Sequence, residues 1–274
     1  MTRPIQDLSR LCVHTITTKP WSLAEAIAGY QKAGVQGITV WRQHIEPIGN
    51  DEAAERLADS GMTVVSLCRG AFFPADTEAQ RQANIDDNLA AIDAAQAIGA
   101  PVVVLVPGAV PGMPLEEGRR QIADGIAAVL PHAEAAGVKL AIETLHPMYA
   151  DSRSAVITLK QANDMAESFK HAHVGVTVDV YHVWWDPELE AEIRRAAPYL
   201  LTFHICDWRT PTRNLVTDRG IMGEGCIPMR QIRGWVEETG FDGFHEVEIF
   251  SEEYWSVNQQ EFLDHITKAY VQHA

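Results

Sequence analysis

Short runs rich in Val, Ile and Leu alternate with longer amphipathic segments along the whole 274-residue chain. The runs are LCVHTIT (11–17), GITVW (37–41), TVVSLC (63–68), PVVVLVP (101–107), KLAIET (139–144), VGVTVDV (174–180), LLTFHICD (200–207) and FHEVEIF (244–250). Their nearly continuous apolar character predicts strands covered on both faces. The segments between them predict helices. The first, over 22–34, carries a cap at Ser22, a capping-box partner at Glu25 and a stop at Gly34. Further helices are expected at 51–60, 76–98, 115–136, 153–169, 187–197, 228–239 and 257–272, several of them followed by glycine. Eight strand–helix units in order predict a single-domain (β/α)8 TIM barrel over residues 1–274. A doubly wound open sheet is the rival, weakened because no glycine-rich dinucleotide fingerprint follows the first strand.

Strand parity sharpens the picture, because successive side chains point to opposite faces. Leu140 and Ile142 share one face, Ala141 and Glu143 the other. Val174, Val176 and Val178 oppose Gly175, Thr177 and Asp179, and Leu201, Phe203 and Ile205 oppose Thr202, His204 and Cys206. The large apolar residues are therefore expected to face the helices, with small residues lining the barrel interior. Glu143, Asp179, His204 and Glu248 each close an apolar run, about one strand-plus-helix unit or a little more apart. In a barrel all four meet at one mouth, and carboxylates packed that closely need a cation between them. A divalent metal bound by Glu143, Asp179, His204 and Glu248 is the simplest answer. Glu246 shares the inward face of the last strand but lies deeper, where it needs a hydrogen-bonding or cationic partner.

Composition permits this reading. Apolar content of 46% and charged content of 22% are those of a globular chain, and a formal charge of −15 argues against a nucleic-acid surface. The four cysteines form no CxxC pair; Cys12, Cys68 and Cys206 lie in strand runs, as buried thiols do. No signal peptide and no 18-residue apolar stretch is visible, so a cytoplasmic protein without membrane contact is expected. A homodimer or homotetramer is compatible with the pattern.

The segments LAIETLHP, GVTVDVYHVWWDP, HICDW, DRGIMGEGCIP and EVEIFS, in this order, resemble the sugar-phosphate isomerase/epimerase family with its xylose-isomerase-like barrel. That family includes ketose 3-epimerases, hydroxypyruvate isomerase and inosose dehydratase. The resemblance implies one divalent metal, manganese, magnesium or cobalt, on Glu143, Asp179, His204 and Glu248; zinc also suits the donors. It further implies that His182 and Arg219 hold substrate oxygens. His146 follows Glu143 by the spacing that separates His182 from Asp179, and Trp184 follows the sixth strand. Both are taken as substrate-binding candidates, a tryptophan ring suiting the C–H face of a sugar.

The implied reaction is isomerisation or epimerisation of a small keto sugar through an enediolate, with Glu143 and Glu248 as acid/base pair. Dehydration of a keto-sugar or keto-inositol is the alternative. A non-catalytic metal-binding barrel and an abasic-site endonuclease are weaker rivals. Phosphate recognition has no support in the sequence: Arg42, Arg69, Arg209, Arg213 and Arg219 are scattered. Asp207 is weighed as a partner of the metal shell against a plain loop acid, and His14 as a pocket residue against a barrel-edge histidine.

Overall fold

A computed structural model describes residues 4–274. In chain order the elements are β1 (Leu11–His14), α1 (Leu23–Ala33), β2 (Gly37–Trp41), α2 (Asn50–Ser60), β3 (Thr63–Cys68), α3 (Glu78–Ala97), β4 (Val102–Leu105), α4 (Leu115–Ala136), β5 (Lys139–Glu143), α5 (Leu159–Phe169), β6 (Val174–Asp179), α6 (Val180–Val183), α7 (Leu189–Arg195), β7 (Leu200–Ile205), β8 (Asp207–Trp208), β9 (Arg219–Gly220), α8 (Met229–Glu238), β10 (His245–Val247), α9 (Glu252–Trp255) and α10 (Gln259–His273). Strands β1–β7 and β10 close into a parallel barrel, and β8 with β9 makes a small antiparallel ribbon. The TIM barrel read from the apolar pattern is thus the architecture observed.

Local chemistry accounts for the boundaries. Ser22 and Glu25 form the expected capping box on α1, and Gly34 ends it at φ +77°, a conformation that suits a residue without Cβ. One expected helix starts later and one short helix is added. Helix α5 begins at Leu159, not near 153, because Ser154 and Ala155 are drawn into a loop: Ala155 N–H donates to Gly108 and Leu145 N–H to Val156. Thr158 then caps α5 through Gln161 N–H. The expected final helix over 257–272 is α10, capped by Asn258, and an unexpected short helix, α9, capped by Ser251, precedes it. Glu248 lies one residue beyond the end of β10 instead of inside the strand.

The parity argument holds except at Leu201, where the register between β6 and β7 shifts and the side chain lies against Gly175. Val13, Ile38, Leu67, Val103, Leu140, Ile142, Val176, Val178, Phe203 and Val247 belong to the apolar core between sheet and helices. The interior face is polar and hydrogen-bonded. Thr202 donates to Thr177 at 2.8 Å, and the Glu246 carboxylate accepts from Thr39 at 2.5 Å and Ser66 at 2.9 Å. His14 Nε2 lies 3.3 Å from the same carboxylate. Glu246 therefore has partners at its depth on Oε2, while its Oε1 is buried without a hydrogen-bond partner.

His245, on the helix-facing side of β10, is 1% exposed and its Nδ1 lies 2.9 Å from the Tyr270 hydroxyl. Burial, with the nearby charges of Arg10 and Arg233, pushes its pKa down to about 3. The folded protein thus keeps this imidazole neutral while the unfolded chain binds a proton near pH 6.5. Stability from this group is present above pH 6.5 and falls as pH drops from there toward 3. Between pH 6.5 and 5 the loss amounts to about 2 kcal/mol. Urea unfolding of wild type and His245→Asn at pH 7 and pH 5 checks it: the gap between the two proteins should narrow by about that amount at pH 5, and an unchanged gap refutes it.

Candidate active site and metal centre

Glu143 and Asp179 are the last residues of β5 and β6, His204 lies next to the end of β7, and Glu248 follows β10. Asp179 is in register with His204, and His204 with Glu246, so Glu248 stands one inward-facing step above the barrel layer that Glu246 occupies. One ligand atom from each of Glu143, Asp179, His204 and Glu248 lies within 4.8 Å of all the others, and all four residues are buried. This is the C-terminal mouth, where barrel active sites are assembled.

Arg219 enters from β9. Its Nη1 donates to Asp179 Oδ2 at 3.1 Å and to Glu248 Oε2 at 2.6 Å, and its Nη2 lies 3.1 Å from His182 Nε2. The guanidinium is clamped between the rings of Tyr181 (4.4 Å) and Phe250 (5.0 Å). His14 Nδ1 is 3.2 Å from Glu248 Oε1 and accepts from Trp41 Nε1 at 3.2 Å.

These contacts sort the proton affinities. Burial favours the neutral acid at Asp179 and, with Glu248 and Glu143 nearby, lifts it to about 7 against the pull of Arg219 and His204. Burial acts on Glu248 in the same sense, but Arg219 and His14 outweigh it and hold this carboxyl well below the usual range. At His204 burial opposes the imidazolium, yet Glu143, Glu246 and Glu248 raise its pKa to about 10. His182 is driven well below its ordinary value by burial and by Arg219. The chamber thus draws positive charge to itself, from Arg219 and from a proton on His204.

A divalent cation fits these residues. Glu143 Oε1 and His204 Nδ1 face each other at 3.1 Å, yet neither has a hydrogen-bond partner of adequate geometry, and His204 Nε2 has none either. Buried polar atoms are otherwise almost always satisfied. Three carboxylates and one imidazole form the hard oxygen-rich set that manganese, magnesium, cobalt or zinc accepts.

Glu143 and Glu248 also line a cavity, together with Trp41, Arg69, Tyr149, Arg153, His182, Val216, Arg219 and Phe250 among others. The Tyr149 hydroxyl donates to the Leu215 carbonyl, tying the loop after β5 to the loop between β8 and β9. The base of the second loop is braced by Arg213 and Arg209, which pair with Asp218 and Glu253.

A sequence model described as xylose isomerase-like TIM barrel matches residues 27–267. The chain belongs to the xylose isomerase-like TIM barrel family. Protein SMc04130 from Sinorhizobium meliloti 1021 superposes on this xylose isomerase-like barrel with a TM-score of 0.95 at 43% identity, over 98% of this chain and 99% of that one. The IOLI protein, whose crystal structure carries a zinc atom, superposes with a TM-score of 0.85 at 22% identity over 96% and 97%. An inosose isomerase from Halalkalibacterium halodurans is 23% identical over 86% of this chain and 83% of its own.

Within this xylose isomerase-like barrel the structure brings together Glu143, Asp179, His204, Glu248, His182 and Arg219. It keeps two other candidates out of the cavity lining. The His146 ring packs on Trp208 (4.9 Å) and Trp185 (5.7 Å), while its backbone N–H donates to His182 Nδ1 at 3.2 Å. The main chain of His146, more than its ring, thus orients the site. Trp184 packs on Trp208 at 5.6 Å, behind α6. The aromatic walls are instead Trp41, Tyr149 and Phe250. Asp207 accepts from Trp208, Gly223 and Ile227 N–H groups, so it ties down the loop that follows β7. Tyr149 and Arg153 escape a strand-end reading because they lie well along the loop after β5.

Proposed function

We propose that this protein is a divalent-metal-dependent isomerase or epimerase of a small keto sugar or keto-polyol, acting by proton transfer at the carbon beside a carbonyl. The observation that carries the reading is the pair Glu143 and Glu248. They come from strands three apart in the barrel order, and both line the same buried cavity. A cation held by Glu143, Asp179, His204 and Glu248 supplies stabilisation of the negative charge that develops on substrate oxygens. One glutamate then removes the proton and the other returns it, to the opposite face for epimerisation or to the adjacent carbon for isomerisation. Arg219 and His182 converge within 3.1 Å of each other at the cavity wall, where they can hold a substrate oxygen. The aromatic walls Trp41, Tyr149 and Phe250 would limit water around the enediolate. The inosose isomerase relative supports a cyclic keto-polyol among the candidate substrates.

The test is solvent exchange. Incubated in D₂O with ketoses and inososes and with Mn²⁺, Mg²⁺, Co²⁺ or Zn²⁺, the protein should place deuterium on the carbon next to the carbonyl. Glu143→Gln should lower that rate by about 10²–10⁴-fold. Loss of water from the product would point to a dehydratase instead. Absence of exchange with every metal over the whole panel would refute the reading.

A further inference from the structure

Two arginines line the cavity without belonging to the acid–base machinery. Arg69 follows β3 and Arg153 lies in the loop after β5; both line the cavity that Glu143 and Glu248 share. Among the described residues Arg69 donates from Nη1 only to the carbonyl of its neighbour Gly70, and its guanidinium lies 4.6 Å over the Phe72 ring. The Arg153 guanidinium lies 5.7 Å over the Tyr149 ring. Neither reaches a carboxylate of the described residues, although acids outnumber bases by 37 to 22 in this chain. The nearby Asp87 is already engaged: its Oδ2 accepts from Arg42 at 2.8 Å and from Ala71 N–H at 2.7 Å. Arg69 is largely buried, and burial together with the charge of Arg153 makes its protonated state less favourable than usual. Two like charges in one cavity repel, and surfaces this acidic normally neutralise them.

The backbone goes to some length to hold Arg153 there. Ser154 bridges Gly108 in the loop after β4, and Ala155 N–H donates to the Gly108 carbonyl at 2.9 Å. Gly108 has φ +99°, and a Cβ on it would meet Phe72 Cβ at 2.3 Å. Phe72 is the ring under Arg69. One close contact therefore couples the two loops that present the two guanidinium groups. The ring faces orient planar forks suited to an anion with two or three oxygens.

We propose that the substrate of this pocket carries an anionic group, a carboxylate or a phosphate, that Arg69 and Arg153 grip while Glu143 and Glu248 act on its carbonyl end. This rests on the proton-transfer reading for the second clause only; the anion site stands on its own geometry. It makes the substrate class an acidic keto sugar or polyol instead of a neutral one.

The experiment is calorimetric titration of the manganese-loaded protein with three small probes: glycerol, D-glycerate and glycerol 3-phosphate. Wild type should bind at least one of the two anions ten or more times tighter than glycerol. The tighter of the two tells carboxylate from phosphate. The Arg69→Gln/Arg153→Gln double variant should bring that ratio to about twofold or less. Equal affinity of wild type for all three probes overturns the proposal, whatever the variant does. An anion preference that survives in a double variant with wild-type circular dichroism overturns it too, assigning the preference to the metal or to Arg219. If the double variant does not fold, Arg153→Gln alone should still cut the preference at least threefold, and an unchanged preference there counts against the proposal. These outcomes are separate from deuterium exchange: a failed exchange assay with a sound anion preference rejects the reaction and keeps the site.

Discussion

Glu248→Gln should lose turnover by about 10³-fold and bind the divalent metal at least about 100-fold more weakly, while the barrel stays folded. The first figure is the usual worth of a positioned acid or base. The second is a lower bound, since even groups that merely orient a metal ligand commonly contribute 10–100-fold. The fold survives because the substituted amide can still accept from Arg219, which keeps Asp179 as its other partner. Glu246→Gln is the control. Its carboxylate points at the same interior but is occupied by Thr39 and Ser66. Its removal should cost stability and leave metal content nearly unchanged. Metal analysis and exchange rates on both variants decide the matter. If Glu246→Gln empties the site and Glu248→Gln does not, the assignment of roles along β10 is reversed.

Arg219→Leu should destabilise the metal-free protein by about 3–5 kcal/mol, the usual cost of removing one partner from a buried ion pair. The reason is geometric. One guanidinium nitrogen serves both Asp179 and Glu248, and leucine leaves two buried carboxylates facing each other. For a chain of this size the expected fall in Tm is roughly 10 °C. Manganese should then raise Tm more in the variant than in wild type, because the metal supplies charge that arginine no longer does. A metal-free Tm within two degrees of wild type, or an equal manganese shift in the two proteins, would show that Arg219 does not carry this charge balance.

Much of this site is legible in the sequence because strands impose a period. Once Leu140 and Ile142 face the helices, Glu143 must face inward, and the same logic reaches Asp179 and His204. Cap chemistry is equally local, so Ser22 and Glu25 reveal the start of α1. What escapes depends on contacts between distant segments. The start of α5 is set by the pairing of Ser154 with Gly108, which nothing near residue 153 announces. Tyr149 and Arg153 reach the cavity through that same pairing. The spacing of His146 after Glu143 suggests a ring in the pocket, but the local turn sends the ring toward Trp208 and leaves the backbone N–H to serve His182. Parity places Glu246 and Glu248 on one face without saying that the hydroxyls of Thr39 and Ser66, from two other strands, converge on Glu246 Oε2.

The bond between Tyr149 and Leu215 has a further consequence. Tyr149 lines the cavity, so the bond from its hydroxyl to the Leu215 carbonyl joins the cavity wall to the loop between β8 and β9. The neighbouring stretch is anchored by Arg213 and Asp218, whereas Leu215 is 55% exposed. A single phenol and a single peptide carbonyl therefore splice two loops together at one wall of the cavity, and Tyr149→Phe would cut that splice while leaving the ring in place.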